Sequence, residues 1–217
     1  MSVYKITNKE LWLAECALSV AILLQSVVWI LNRSLTYGPH GLIVITEIIL
    51  AVIIGLTAGI NHTQTRQLYR TTAFLLLGLI SAANIGSFFL VARLLILGGV
   101  DLSGRELLVA ALAIFITNII VFALWYWEVD SPGLSGHKWS KHDKDFQFIQ
   151  QDLAKDFPRW QPGFVDYLYL SLTNAINFAP ADTRPITHQA KCLMGIQALV
   201  SVFTLALIIA RSVSILG

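Results

Sequence analysis

The residues best suited to chemistry lie in one polar interruption of a strongly apolar chain, NAINFAPADTRPIT at residues 174–187. It offers the amides of Asn174 and Asn177, the carboxylate of Asp182 and the guanidinium of Arg184. Amide and carboxylate oxygens attract cations, and such groups line ion pathways in membranes. The competing interpretation is structural, because several polar residues here are types that hydrogen-bond a turn and cap the next helix. Those residues are Asp182, Thr183, Arg184 and Thr187.

Single polar side chains inside the apolar runs form a second set of candidates. They are Glu15, Gln25, Glu47, Asn84, Asn118 and Gln197. Intramembrane carboxylates often mark ion or proton sites. Glu47 lies well inside its run and needs a hydrogen-bond donor, a role that suits Asn84 or Asn118. Because polar contacts between helices are a common way to join them, we expect a structural clasp rather than a proton site.

The composition predicts an integral membrane protein. The 217 residues are 56% hydrophobic and 13% charged, and the mean hydropathy is +0.68. A net charge of +2 gives no basis for nucleic-acid binding. Cys16 and Cys192 both fall in apolar runs and lack metal-binding or redox spacing. We expect a multi-pass protein of the cell (inner) membrane, in contact with the lipid bilayer.

Five apolar runs have about the 20 residues that a helix needs to cross a bilayer core of about 30 Å. They are residues 11–31, 41–60, 71 to about 91, 103–127 and 187–216. Between the last two runs, a helical spacing of apolar residues predicts a short interfacial amphipathic helix. Those residues are Phe146, Ile149, Leu153 and Phe157. The fold class is therefore an all-α polytopic membrane protein.

One further apolar stretch, GFVDYLYLSLTNAINF, begins at Gly163 and is too short to span the bilayer. We expect it to enter the membrane as a helix and turn back. An unsatisfied backbone amide in lipid costs several kcal/mol. The returning loop must therefore be buried in protein or line a watery pore.

From Asp166 onward the residues resemble the pore module of tetrameric potassium channels. Such modules often read D-x-x-Y-F-S, then a filter T-x-G-Y-G-D, then P-x-T and an inner helix that can end in A-R. The matching positions here are Asp166, Tyr169, Leu170, Ser171, Asp182, Pro185, Thr187, Ala210 and Arg211.

The resemblance implies a tetramer and a division into residues 1–104, an N-terminal three-helix region, and residues 105–217, a pore-like module. The module would comprise an outer helix (105–127), an interfacial segment (128–162), a pore helix and loop (163–186) and an inner helix (187–216). Three stretches, FALWYWEVD, DYLYLSLTNA and AKCLMGIQ, are also similar to a group of prokaryotic membrane proteins, which implies no activity.

The filter departs from the channel pattern. Its positions run from Asn177 through Phe178, Ala179, Pro180 and Ala181 to Asp182, so alanine replaces both glycines and proline replaces the tyrosine. Alanine resists the backbone angles that turn carbonyls toward an ion, and proline fixes φ and removes an N–H. The expected function is a weakly selective pore for ions or small solutes. The alternative is a non-conducting scaffold or accessory subunit that keeps the fold for assembly.

The basic residues favour a cytoplasmic N-terminus. With five spans, eleven of the fifteen lysines and arginines fall on the same side as the N-terminus and the hairpin. Potassium channels instead open their filter loop outward, so the two criteria disagree.

No catalytic motif of a hydrolase, metalloprotease, nucleotide-binding or dinucleotide-binding enzyme is present in the sequence. We therefore expect no enzymatic activity, no metal and no cofactor.

Overall fold

The computed structural model describes residues 8–31, 35, 40–57, 63–97, 103–130, 144–158, 160–177 and 182–216. Most of them are helical. The elements are α1 (Asn8–Leu31), α2 (His40–Thr57), α3 (Thr63–Leu97), α4 (Gly104–Asp130), β1 (Phe146–Phe148), α5 (Ile149–Asp152), α6 (Phe164–Asn177), β2 (Thr183–Pro185) and α7 (His188–Leu216).

Four of the described helices are long and apolar enough to cross a membrane. The qualifying segments are Lys9–Ile30 in α1, Thr71–Leu94 in α3, Gly104–Asp130 in α4 and His188–Ala210 in α7. Within α2 the described apolar segment is Gly41–Val52. A multi-pass membrane protein is therefore supported, with four candidate spans among the described residues, and the fifth span, at residues 41–60, stays a prediction.

Helix α4 is the centre of the bundle, because α1, α3, α6 and α7 all pack against it. Its apolar window is 72% buried, whereas the window in α7 is only 22% buried. The sequence explains this difference, since α4 is apolar on every side and ends in aromatic residues that pack into the core. Among them, the side chains of Tyr126 and Trp127 are fully buried.

Side-chain caps lie at the starts of α4 and α7. At the start of α4, the backbone N–H of Ser103 donates to Glu106 Oε2 at 2.8 Å, and the Glu106 N–H donates back to Ser103 Oγ at 3.3 Å. This is the capping box that S-x-x-E predicts. At the start of α7, the Ala190 N–H donates to Thr187 Oγ1 at 3.2 Å. Both caps satisfy N–H groups that a helix cannot pair internally.

The segment after α4 forms a strand, so the predicted amphipathic helix through Phe146 and Phe157 is wrong. Strand β1 pairs antiparallel with β2, and the register sets Phe146 opposite Pro185 and Phe148 opposite Thr183. Phe146 and Phe148 are both buried, an alternation with period two that buries one face of a strand. The helix that follows, α5, covers only Ile149–Asp152.

The carboxylate of Asp130, at the end of α4, holds this two-stranded ribbon. Its Oδ1 accepts the backbone N–H groups of Asp145 and Phe146, the latter at 3.1 Å. Its Oδ2 accepts the hydroxyl of Tyr167 on α6 at 2.6 Å. Because the carboxylate accepts the N–H groups of residues 145 and 146, these groups do not need acceptors within a helix. The strand conformation is therefore favoured there.

Asp145 connects the ribbon to the start of α7. Its carboxylate Oδ1 accepts the Thr187 hydroxyl, and its backbone oxygen accepts the Ile186 N–H at 2.8 Å. We refer to Asp130, Asp145, Tyr167 and Thr187 as the Asp130 cluster. It joins the end of α4, the start of α6, the ribbon and the start of α7 at one end of the bundle.

Replacing Asp130 by alanine should destabilise the protein by about 1.5–3 kcal/mol, because three buried donors lose a charged acceptor. Unfolding of the purified protein in detergent measures this loss. The matched control is Asp156→Ala, which removes an exposed carboxylate and should change stability by less than about 0.5 kcal/mol. Equal effects of the two substitutions would contradict the anchoring role of Asp130.

Candidate functional site

The predicted pore helix forms as α6, a helix of 14 residues and about 21 Å. It packs between α4 and α7. Its buried residues recur every three or four positions and include Phe164, Tyr167, Ser171 and Asn174. The opposite face stays exposed and is also apolar. It consists of Val165, Tyr169, Leu172 and Ile176.

Asp166 caps the first turn of α6, and the Glu10 carboxylate of α1 lies close to it. The Gly163 N–H donates to Asp166 Oδ2 at 2.7 Å. Burial raises the pKa of Asp166, the Gly163 hydrogen bond lowers it, and the nearby Glu10 carboxylate of α1 raises it again. A Cβ at position 163 would lie 2.5 Å from Glu10 Oε1, so the end of the Glu10 side chain would have to move.

A buried polar network lies where α4, α6 and α7 meet. Asn174 Nδ2 lies 2.8 Å from Gln197 Oε1, 3.1 Å from the backbone oxygen of Met194 and 3.2 Å from the Tyr126 hydroxyl. The Tyr126 hydroxyl also donates to Gln197 Oε1. Because these groups come from three helices, the network fixes the rotation of α6 about its own axis.

Ser171 completes this network. Gln197 Nε2 donates to Ser171 Oγ at 2.6 Å and to the Ser171 backbone oxygen at 2.9 Å. The Ser171 hydroxyl in turn donates to the backbone oxygen of Ile119 at 2.6 Å. We call Tyr126, Ser171, Asn174 and Gln197 the Asn174 cluster. All four side chains are at most 2% exposed.

The Asn174 cluster is suited to holding helices together. None of its four residues is a carboxylic acid, histidine or cysteine, so none has an ordinary pKa near neutrality. Its amide and hydroxyl groups satisfy one another, as buried polar groups must where water cannot replace a lost hydrogen bond. A further bond of this kind joins Asn118 of α4 to Ser201 Oγ of α7 at 3.0 Å.

Contacts along α6 connect it both to the Asp130 end and to the interior of the bundle. Tyr167 reaches Asp130, whereas Ser171 reaches Ile119, which lies three turns earlier in α4 and about 16 Å deeper. Asn174, one turn further along α6, lies beside the Tyr126 hydroxyl and the Met194 backbone oxygen. Strand β2 pairs with β1 at the Asp130 end. The start of α6 and strand β2 therefore both lie at that end of the bundle.

The predicted filter residues lie in different surroundings. Asn174 is in the protomer interior, whereas Asn177 is exposed at the end of α6. Asp182 is half-buried, and its backbone oxygen accepts the Ile149 N–H at 3.2 Å. The four residues between these positions are outside the described part of the chain. They are Phe178, Ala179, Pro180 and Ala181.

The predicted hairpin-support residues belong to β2 and the start of α7. Thr183 is buried opposite Phe148, and Arg184 is exposed opposite Gln147. Thr187 both caps α7 and donates its hydroxyl to Asp145.

Glu47 does not contact either of the asparagines expected to hold it. Glu47 is fully buried, and neither carboxylate oxygen has a hydrogen-bond partner among the described residues. Asn84 instead donates to the backbone oxygen of Ile114 at 3.3 Å, and Asn118 donates to Ser201. The expected clasp between Glu47 and either asparagine is therefore wrong. Glu15 is half-buried and lines a groove of about 420 Å³ between α1 and α2.

Three residues with central contacts were not singled out from the sequence: Tyr126, Asp130 and Tyr167. Tyr126 and Tyr167 were read as parts of apolar aromatic stretches, in which a hydroxyl group gives no separate signal. Asp130 did carry a signal. A carboxylate at the end of a helix that is buried on all sides needs donors, and the following loop is the nearest source.

Replacing Gln197 by leucine should destabilise the protein by about 1–3 kcal/mol, because Asn174, Tyr126 and Ser171 all lose a buried partner. Unfolding in detergent measures the loss. Gln189→Leu is the matched control, since Gln189 is exposed in the first turn of the same helix, and it should be close to neutral. A neutral or stabilising effect of Gln197→Leu would show that the cluster does not hold the three helices.

No protein-family model, curated protein or solved structure matches the chain. The role of the candidate site is therefore inferred from the contacts, burial and chemistry of its own residues.

Proposed function

We propose that this chain is an oligomeric membrane protein built on a potassium-channel-like pore module, in which α6 dips into the bilayer and turns back. The observation that supports the proposal is the placement of α6 and β2. Helix α6, of 14 residues, packs between α4 and α7, both long enough to span, and Tyr167 near its start and strand β2 after it both lie at the Asp130 end of the bundle. In pore modules this arrangement places the filter loop partway across the membrane.

The exposed faces of α6 and α7 support assembly of several copies. Val165 and Ile176 of α6 are 58% and 50% exposed, and Leu199 and Phe203 of α7 are 61% and 56% exposed. A returning loop at membrane depth needs hydrogen-bonding surroundings that lipid cannot give. Neighbouring copies around a central axis would cover both helices and enclose that loop, and the resemblance favours four copies.

The proposed activity is weakly selective passage of ions or small solutes. Ala179, Pro180 and Ala181 stand where a potassium filter needs residues of unusual backbone conformation, so the stacked carbonyl sites of that filter are not expected. A ring of Asp182 carboxylates at the mouth would favour cations, and Arg184 would partly offset it. The excess of basic residues on the hairpin side favours a mouth that faces the cytoplasm.

One observation favours a second function, that of a non-conducting scaffold or accessory subunit. The polar groups of the Asn174 cluster are engaged with one another inside the protomer, and Thr187 is engaged with Asp145 and Ala190. Such groups stabilise a fold without being available to a passing ion. On this reading the pore module serves assembly with other membrane proteins.

Cation flux into liposomes containing the purified protein tests the proposal. We expect flux above that of empty liposomes, no selectivity for potassium over sodium, and a lower flux for Asp182→Asn, because the substitution removes charge that attracts cations. Asp156→Asn, which removes an exposed carboxylate outside residues 174–187, is the matched control and should leave flux unchanged.

Flux at background for the unaltered protein and both variants would reject conduction and favour the scaffold. A potassium-selective current from the unaltered protein would contradict the interpretation of the filter.

A further inference from the structure

A small polar cavity lies where α1, α3 and α4 meet, away from the hairpin. Four polar side chains contribute to its wall: Gln25 from α1, Asn84 and Ser87 from α3, and Thr117 from α4. Apolar residues close the remainder, namely Val28, Ala113 and Ile114. Four of the seven lining residues therefore bring a polar side chain to a cavity whose wall is otherwise apolar.

Two of these side chains have unmet hydrogen-bonding capacity. Gln25 is 6% exposed, and neither its Nε2 nor its Oε1 has a partner among the described residues. Thr117 is 1% exposed, and within the same described part of the chain its Oγ1 is also without a partner. Buried polar groups are nearly always hydrogen-bonded, so two such groups lining one cavity point to a common ligand.

The size of the cavity restricts that ligand. It leaves about 10 Å³ for the centre of a water-sized molecule, which is about enough for one. An organic molecule or a hydrated ion would not fit without movement of three packed helices.

The chemistry of the lining restricts the ligand further. The Gln25 amide offers both a donor and an acceptor, and the Thr117 hydroxyl can act as either. The lining residues carry no carboxylate that would compensate a cation and no basic group that would compensate an anion. A neutral ligand that both donates and accepts hydrogen bonds satisfies these groups.

We propose that this cavity is a binding site for a single water molecule, which bridges Gln25 of α1 and Thr117 of α4. Buried waters typically make about three hydrogen bonds, and Asn84 or Ser87 can provide the third. The neighbouring bond from Asn84 to the backbone oxygen of Ile114 already joins α3 to α4. The water would add a hydrogen-bonded link from α1 to α4, beside the bond that joins α3 to α4.

Substitution by apolar residues of similar size distinguishes a bridging water from a dry cavity. If water bridges the two groups, Thr117→Val and Gln25→Leu should each lower the melting temperature in detergent, by about 2–4 °C. Their combined effect should be smaller than the sum, because both act through the same water. If the cavity is dry, each substitution removes an unpaired polar group and should raise the melting temperature.

Thr204→Val is the matched control. Thr204 is buried in α7, and its hydroxyl donates to the backbone oxygen of Val200 in its own helix. This substitution should be nearly neutral, since the helix still satisfies that oxygen. A rise or no change with either test variant, or additive losses in the double variant, would overturn the proposal.

A density map of the unaltered protein at about 2 Å resolution decides the matter if a variant cannot be purified. A peak within hydrogen-bond distance of both Gln25 and Thr117 would support the site. Density that shows an empty cavity at that resolution would overturn it.

Discussion

The amide of Asn174 is the group on which the arrangement of α4, α6 and α7 depends. It lies within hydrogen-bond distance of Tyr126 on α4 and of Gln197 and the Met194 backbone on α7. In an apolar interior no water is at hand to replace these bonds, so α6 cannot rotate or slide without leaving several polar groups unpaired. A helix too short to span is in this way held in a fixed position between two helices that are long and apolar enough to span.

The Asp130 cluster fixes the other end of the same helix. Tyr167, in the second turn of α6, shares the Asp130 carboxylate with the ribbon strand β1, and Asp145 passes the connection on to Thr187 at the start of α7. The two clusters lie about two turns apart on α6 and act on one helix. Both clusters lie outside the residues that the proposal assigns to a filter, 177–182.

Much of the frame was predictable because it follows from local properties. Runs of about 20 apolar residues predicted the helices α1, α3, α4 and α7, and the S-x-x-E pattern predicted the start of α4. The length of the stretch after Gly163 predicted α6. The run containing Glu47 is also helical, as α2 (His40–Thr57). The sequence did not predict the ribbon, because Phe146, Ile149, Leu153 and Phe157 have helical spacing. The strand is instead stabilised by Asp130 and β2, which are distant from it in sequence. The inward direction of Asn174 was missed for a similar reason, since helix rotation depends on the neighbouring helices.

The central claim is that α6 and β2 form a half-inserted hairpin whose exposed side is covered by further copies of the chain. A density map of the intact protein in lipid nanodiscs tests it most directly. The account predicts a closed ring, expected to contain four copies, in which α6 ends partway across the bilayer, Asn177 lies toward the axis and Asn174 contacts Gln197 of its own chain. A monomer whose α6 lies flat on the membrane surface or faces lipid along its whole length would contradict it.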